Sequence, residues 1–317
     1  MGFDKNKHLE KVLESHKMKH VDDLMKKYIV KREELKDALK DKFGDKIVSR
    51  AINSGSYAKH TAINTKFDID ICQPFKYKGF GTLEEMAGAV SDYFNDEYED
   101  EDIVSYKTRN QRVSTRLTFL IDGVEIQMDV VPGRELLEDD YSSTTRLNLY
   151  VRPKGLDPAT SIQTNIQKHV DLIKGKGNER CIIRLLKTWK VSNNKDIKSF
   201  FLELITIRAF DMATEIPTGM WGKLQMAMEF IRDNVKTIRL EDPANTNNVV
   251  SDTITDFEKD LLARDMETML LQINEDEESL KIYFPLNDQF ISEEEKKKIA
   301  ALEMARKGVV SKPWRQF

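Results

Sequence analysis

At 317 residues the chain is long enough for one large domain or two lobes with a sizeable core. Its 50 basic and 54 acidic residues, net −4, exclude a protein that works by coating nucleic acid, which would be clearly basic. Two cysteines, Cys72 and Cys181, with no Cys-x-x-Cys or Cys/His cluster, argue against a disulfide framework and a structural zinc site and point to a reducing, cytoplasmic setting.

The N-terminus is charged from its fourth residue, unlike a signal peptide. No apolar run approaches the roughly 20 residues of a membrane span. Residues 8 to 43 predict one or two helices: Leu9, Val12, Leu13, Val21, Leu24, Met25, Tyr28, Leu35 and Leu39 recur at three- and four-residue spacings, and Gly44 is the expected stop. "KIVSRAINSGS" predicts a short strand ending in a turn. "KFDIDICQPF" alternates and predicts a second strand ended by Pro74. Residues 82 to 98 predict an amphipathic helix. Three β-rich runs follow, "DIVSYKTRN", "RVSTRLTFLID" and "GVEIQMDVVPG", and the Asp-Gly of "IDGVE" marks a hairpin.

After Pro132-Gly133 the composition turns polar, and "RELLEDDYSSTTRLNLYVRPKGLDPAT" predicts a loop or lid. From about residue 161 the pattern is helical through "NERCIIRLLKTWKVS", "SFFLELITIRAFDMA", "GKLQMAMEFIRDNVK" and "TDFEKDLLARDMETMLLQI". The acidic run at 275–278 predicts a solvated loop. The expected division is residues 1–155, a mixed α/β lobe including the N-terminal helix, and residues 156–317, a helical lobe. The closing "SKPWRQF" is open between docking through Trp314 and meeting a partner.

One stretch carries chemistry. In "GSYAKHTAINTKFDID", Asp68 and Asp70 stand two apart on a predicted strand, so both carboxylates face the same side. Two neighbouring carboxylates repel unless a cation lies between them. A hard divalent ion such as Mg²⁺ takes such oxygen ligands together with substrate phosphates. In "VEIQMDVVP", Val124, Ile126 and Met128 share one face and Glu125, Gln127 and Asp129 the other, which makes Asp129 a third acid for a neighbouring strand. Three acids in one cleft suit two metal ions. Gly55-Ser56 supplies a small-residue turn whose N–H groups and hydroxyl can meet a phosphate. A bare Gly-Ser is ordinarily only a turn, and a lone Asp-x-Asp only a strand end. The compound spacing is what makes the pattern specific.

With these residues in place, "GSYAKHT…DID" followed by "VEIQMDVVPG" resembles the DNA polymerase β-like nucleotidyltransferases. Within them the chain resembles the CD-NTases, the bacterial relatives of cyclic GMP-AMP synthase and DncV, also called SMODS domains. "RCIIRLLKTWK", "KSFFLELI" and "DPANTNNVV" support the narrower likeness, and "KSFFLE" with the compact length looks most like the CdnE type. The resemblance spans nearly the whole chain. It implies a nucleotidyltransferase palm with a C-terminal helical lobe and an active site in the cleft between. Gly55 and Ser56 are expected on the donor triphosphate. Asp68, Asp70 and Asp129 are expected on two Mg²⁺ or Mn²⁺ ions, with Asp129 assisting deprotonation of the acceptor hydroxyl. Lys187 and Ser199 are expected to grip the triphosphate from the helical lobe. Lys187 borders an apolar surface of Ile182, Ile183, Leu185, Leu186 and Trp189, and Ser199 opens the next helix.

Further candidates are open between roles. Arg112 and Arg116 are set between phosphate contact and salt bridges. Gln163 and Asn165 are candidates to read a base edge, with helix capping the competing role for Asn165. Tyr57 is set between base stacking and packing, and Asn247 and Asn248 fit a polar turn. The resemblance implies NTP substrates, a cyclic di- or trinucleotide product in bacterial anti-phage signalling, regulatory or effector proteins encoded nearby, and no membrane. No DNA or RNA activator is expected, because nothing here builds the zinc insertion of the animal DNA sensors. A linear or substituent-adding nucleotidyltransferase would use the same acids, and a degenerate nucleotide-binding module is the non-enzymatic alternative.

Overall fold

The computed structural model describes residues 2–65, 68–99, 106–121, 123–291 and 297. Helix α1 (Lys5–Ser15) starts at Asp4, whose carboxylate accepts the Lys7 N–H at 3.0 Å. A 3₁₀ turn at Met18–Val21 separates it from α2 (Asp22–Phe43). Gly44 follows α2 in the right-handed region at φ −44°, so the expected glycine stop is not a left-handed cap.

The two helices serve different cores. Met25, Tyr28, Leu35, Leu39 and Phe43 of α2 cover the sheet, whereas Leu9, Val12 and Leu13 of α1 enter the core of the helical lobe. The N-terminal helix therefore does not belong wholly with residues 1–155. The break between α1 and α2 crosses from lobe to lobe. Asn64 fastens that crossing: its Nδ2 donates to the Ser15 and Lys17 carbonyls at 2.9 and 3.1 Å, and its Oδ1 accepts from Asn287 Nδ2 at 2.8 Å.

The sheet begins with β1 (Ile52–Ser54), followed by the short helix α3 (Gly55–Ala58) and then β2 (Ile69–Phe75). Pro74 does not end β2; it pairs with Gly133 inside the ladder. Helix α4 (Leu83–Asp92) is closed by a full Thr82/Glu85 capping box. Strands β3 (Tyr106–Asn110), β4 (Thr115–Ile121) and β5 (Val124–Glu135) complete the order β1-β2-β5-β4-β3. The β4–β5 hairpin closes at Ile121↔Val124 as its Asp-Gly signal predicts. Among the described residues, β2 and β5 are the one parallel pair. Residues 102–105, Asp122, Lys66, Phe67 and the tail with Trp314 lie outside the described residues.

The stretch expected to be a loop or lid is instead structured. It holds α5 (Tyr141–Thr144) and β6 (Leu147–Val151), and β6 pairs both with the end of β5 and with β7 (Thr160–Thr164). Leu147, Leu149 and Val151 are buried on one face, so the alternation is real but short and set in polar surroundings. Because β6 and β7 are hydrogen-bonded neighbours, the sheet continues past the expected 155/156 division.

The helical lobe contains α6 (Ile166–Ile173), α7 (Gly177–Ser192), α8 (Ser199–Met212) and α9 (Met220–Asn234). A small hairpin of β8 (Glu241–Asp242) and β9 (Asn245–Val249) follows, then α10 (Asp256–Glu275) and α11 (Leu280–Tyr283). Trp189, Phe201, Leu224, Met266 and Phe284 anchor its core with α1. No described helix is long and apolar enough to cross a membrane.

Candidate active site

The five strands β1, β2, β5, β4 and β3 line up a single row of polar side chains. Ser54 of β1 is in register with Asp70 of β2, Asp70 with Asp129 of β5, Asp129 with Arg116 of β4, and Arg116 with Arg109 of β3. Alternation puts the neighbours Ile69, Ile71, Ile126, Met128 and Val130 on the opposite face, in the core beneath α2 and α4. The hydrophobic pattern thus fixes which way the acids point. Asp68 lies just ahead of β2 and joins the row from its end.

Gly55 sits at φ +68°, and a Cβ built on it would overlap the Asp70 carboxylate. Only glycine permits this close approach of the turn to the acid. Burial, followed by the charges of Asp129 and Asp68, pushes the Asp70 carboxyl up to about 7. A carboxylate so placed is short of positive charge. Asp68 and Asp129 are already served: Arg116 donates to Asp129 through Nε (2.8 Å) and Nη2 (2.9 Å) and to Asp68 Oδ2 through Nη2 (2.7 Å). Gln111 Nε2 adds a donor to Asp129 Oδ1 at 3.3 Å.

These acids fit a hard divalent ion in kind, with oxygen donors and one half-buried member, Asp70, that Arg116 does not pair. As they stand, no three carboxylate, imidazole or thiol side chains among the described residues form a metal-ligating cluster. The Arg116 guanidinium holds two of the three acids instead. Of the two arginines left open in the sequence, Arg116 therefore takes the salt-bridge role, while Arg112 lies in the β3–β4 turn, 3.5 Å from Asp157.

Asp68 and Asp70 open on a cavity of about 300 Å³ between the lobes, whereas Asp129 and Gly55 lie behind its lining. Ser56, Asp68, Asp70, Lys187 and Ser199, all picked out in the sequence, line it together, with Lys59, Thr61, Lys190 and Glu203 beside them. Ser199 is the first residue of α8, as expected, and its hydroxyl accepts from Lys190 Nζ at 3.2 Å. Lys187 reaches the cavity but its ammonium is committed. It donates to Thr61 Oγ1 (3.0 Å), the Thr61 carbonyl (3.2 Å) and Glu203 Oε1 (2.6 Å), which uses its three donors. In this structure Lys187 ties the helical lobe to the palm rather than facing the cavity as a free cation. Lys59 pairs with the same Glu203 from the palm side.

The base-edge candidates lie elsewhere. Asn165 is 1% exposed and caps α6. Its Oδ1 accepts from Lys168 N at 3.0 Å and Thr145 Oγ1 at 3.1 Å, and its Nδ2 donates to the Thr144 carbonyl at 2.8 Å. Capping is its role here. Gln163 is exposed on β7, outside the cavity lining. Tyr57 packs against the palm core, and Asn247 and Asn248 belong to the β8–β9 hairpin, where Asn248 Nδ2 donates to Asp242. Glu203, Lys59, Thr61 and Lys190 were not singled out in the sequence. Their signal was present only as the Glu of "SFFLE", the Lys and Thr of "YAKHT" and the second Lys of "LLKTWK".

A mixed sheet carrying aligned acids beneath a Gly-Ser turn, faced by a helical lobe, defines a polymerase β-like nucleotidyltransferase fold. No protein-family model matches the chain. It is 26% identical over 190 residues to the CBASS oligonucleotide cyclase CdnC of Escherichia coli strain KTE188, a match that spans 56% of each chain's length. The structure of E. coli MS115-1 CdnC with ATP superposes with a TM-score of 0.67 at 18% identity, covering 90% of this chain and 99% of that one. CdnG of Bradyrhizobium diazoefficiens, in complex with GTP, gives 0.67 at 11% identity, covering 89% and 95%. The fold is that of a bacterial CD-NTase. The CdnE type suggested by "KSFFLE" fits less well: CdnE of Elizabethkingia meningoseptica gives a TM-score of 0.56 at 13% identity, covering 85% and 99%.

Proposed function

We propose that this chain is a metal-dependent nucleotidyltransferase that joins NTPs into a cyclic di- or trinucleotide with release of pyrophosphate. It would act as a cytoplasmic second-messenger synthase in CBASS-type anti-phage signalling. The observation that carries the reading is the register of Asp70 with Asp129 beneath Gly55, with Asp68 and Asp70 on the wall of a cleft between two lobes.

In this reading Asp68, Asp70 and Asp129 would hold Mg²⁺ or Mn²⁺, which when bound neutralises charge on the phosphates. Gly55 and Ser56 receive the donor triphosphate through backbone N–H groups and the hydroxyl. Ser199 and Lys190 face it from across the cavity, and Lys59 lines the cavity from the palm side. Asp129 takes the proton of the acceptor 2′- or 3′-hydroxyl. The new ester bond forms at the α-phosphate as the bond to pyrophosphate breaks, and a second round closes the ring. Catalysis rests on positioning and charge complementarity. The likeness to CdnC and CdnG supports NTPs as substrates, and regulation by a partner protein is part of the same proposal.

Pyrophosphate release tests the reading. Purified protein with mixed NTPs and Mg²⁺ or Mn²⁺ releases pyrophosphate, and Asp70→Ala protein does not. Release that survives Asp70→Ala would refute it.

A further inference from the structure

We propose that Arg116 is the resident counter-ion of the acid cluster, and that it makes divalent-ion binding depend on nucleotide. The proposal rests on the nucleotidyl-transfer reading of the site. The guanidinium forks onto Asp129 through Nε and Nη2 and bridges to Asp68 through the same Nη2, while Nη1 donates to Gln127 Oε1 at 3.1 Å. A bidentate, charge-assisted fork is among the stronger polar contacts a protein makes. It occupies lone pairs of two of the three acids that a metal ion needs, and its charge repels a cation approaching the third. Asp70 is the one acid of the three to which Arg116 does not donate, and one carboxylate is a poor site for Mg²⁺ or Mn²⁺.

The side chain is one quarter exposed, so it has an open side on which to leave. Its register places it beyond Asp129 from Gly55, beside the exposed Arg109 of β3. A nucleotide lying over β4 and β3 therefore offers phosphate oxygens to Arg116 in exchange for its carboxylates, and guanidinium matches phosphate as well as carboxylate. Nucleotide arrival then frees Asp68 and Asp129 as the metal arrives. Nothing in the apolar core opposes the exchange, because Arg116 lies on the polar face of β4.

Mn²⁺ binding followed by electron paramagnetic resonance and calorimetry tests this on wild-type, Arg116→Met and Arg116→Lys proteins, each with and without a non-hydrolysable NTP. Without nucleotide, Arg116→Met binds Mn²⁺ about tenfold or more tightly than wild type, and the gap closes when the NTP analogue is present. Arg116→Lys, which keeps the charge but loses the fork, falls between. Equal affinity of wild type and Arg116→Met without nucleotide would overturn the proposal. If circular dichroism shows that Arg116→Met does not fold, the Lys variant decides: affinity equal to wild type overturns it, and tighter binding supports it. Wild type that binds no Mn²⁺ even with nucleotide would overturn the metal reading of the site itself, an outcome distinct from the first.

Discussion

Lys187 of the helical lobe and Thr61 of the palm are joined twice through one ammonium, which donates to both the hydroxyl and the carbonyl of Thr61 while pairing with Glu203 at 2.6 Å. This latch sits at the back of the cavity, next to the acids. It sets the distance between the Gly-Ser turn and the N-terminus of α8, the two elements proposed to hold the donor triphosphate.

The latch gives a pH prediction. Burial alone would push the Glu203 carboxyl up, but the charges and hydrogen bonds of Lys187 and Lys59 outweigh it and bring it down to about 2. A depressed native pKa contributes stability above the ordinary value of 4.5, and that stability is lost as pH falls through about 2. Glu203→Gln leaves the buried Lys187 and the half-buried Lys59 short of a counter-charge and costs about 3–5 kcal/mol at pH 7. Thermal melts from pH 7 to pH 2 will show the variant's deficit shrinking as pH falls. A deficit that stays constant would contradict the account.

Asp70 behaves oppositely. Its carboxyl is raised to about 7, so the protonated form is the one the fold favours. That contribution is fully present below the ordinary value of 3.8 and is lost as pH rises through about 7. In metal-free buffer at pH 8, Asp70→Asn is therefore more stable than wild type by about 2–4 kcal/mol, and the advantage vanishes near pH 3.5. Denaturant melts at both pH values measure it. The same variant loses nucleotidyl transfer, trading stability for function at one atom.

Gly55→Ala fails for two independent reasons. Its φ of +68° strains any residue with a Cβ, and that Cβ would overlap Asp70. The expected cost is about 1–3 kcal/mol of stability with loss of activity, because the turn must retreat from the acid it covers. A melt and a pyrophosphate assay on the same preparation check both.

How much of this was legible from sequence depended on how local each signal was. The alternation of "VEIQMDVV" was enough to place Asp129 on the polar face, and the spacing of Asp68 and Asp70 after Gly55-Ser56 was enough to find the site. The strand "LNLYV" was not found because its alternation spans five residues between acidic and proline-rich stretches. The allegiance of α1 was not legible either. Leu9, Val12 and Leu13 show the same periodicity as the residues of α2, and only the bend at Met18–Val21 sends them to another core. The resemblance placed Lys187 on a phosphate, and its contact with Thr61 was not legible beside that, because Thr61 lies 126 residues away and no local pattern reports such a contact. Asn165 carried its answer locally, as a cap residue before "IQKHVDLI".

The central claim is that the acid row condenses NTPs into a ring. Its most direct test is to incubate purified protein with all four NTPs and Mg²⁺ or Mn²⁺, treat with phosphatase, and identify products by mass spectrometry beside Asp68→Ala/Asp70→Ala protein. The account predicts a phosphatase-resistant cyclic di- or trinucleotide that is absent from the double variant. Only linear, phosphatase-sensitive products, or the same cyclic mass from the double variant, would contradict it.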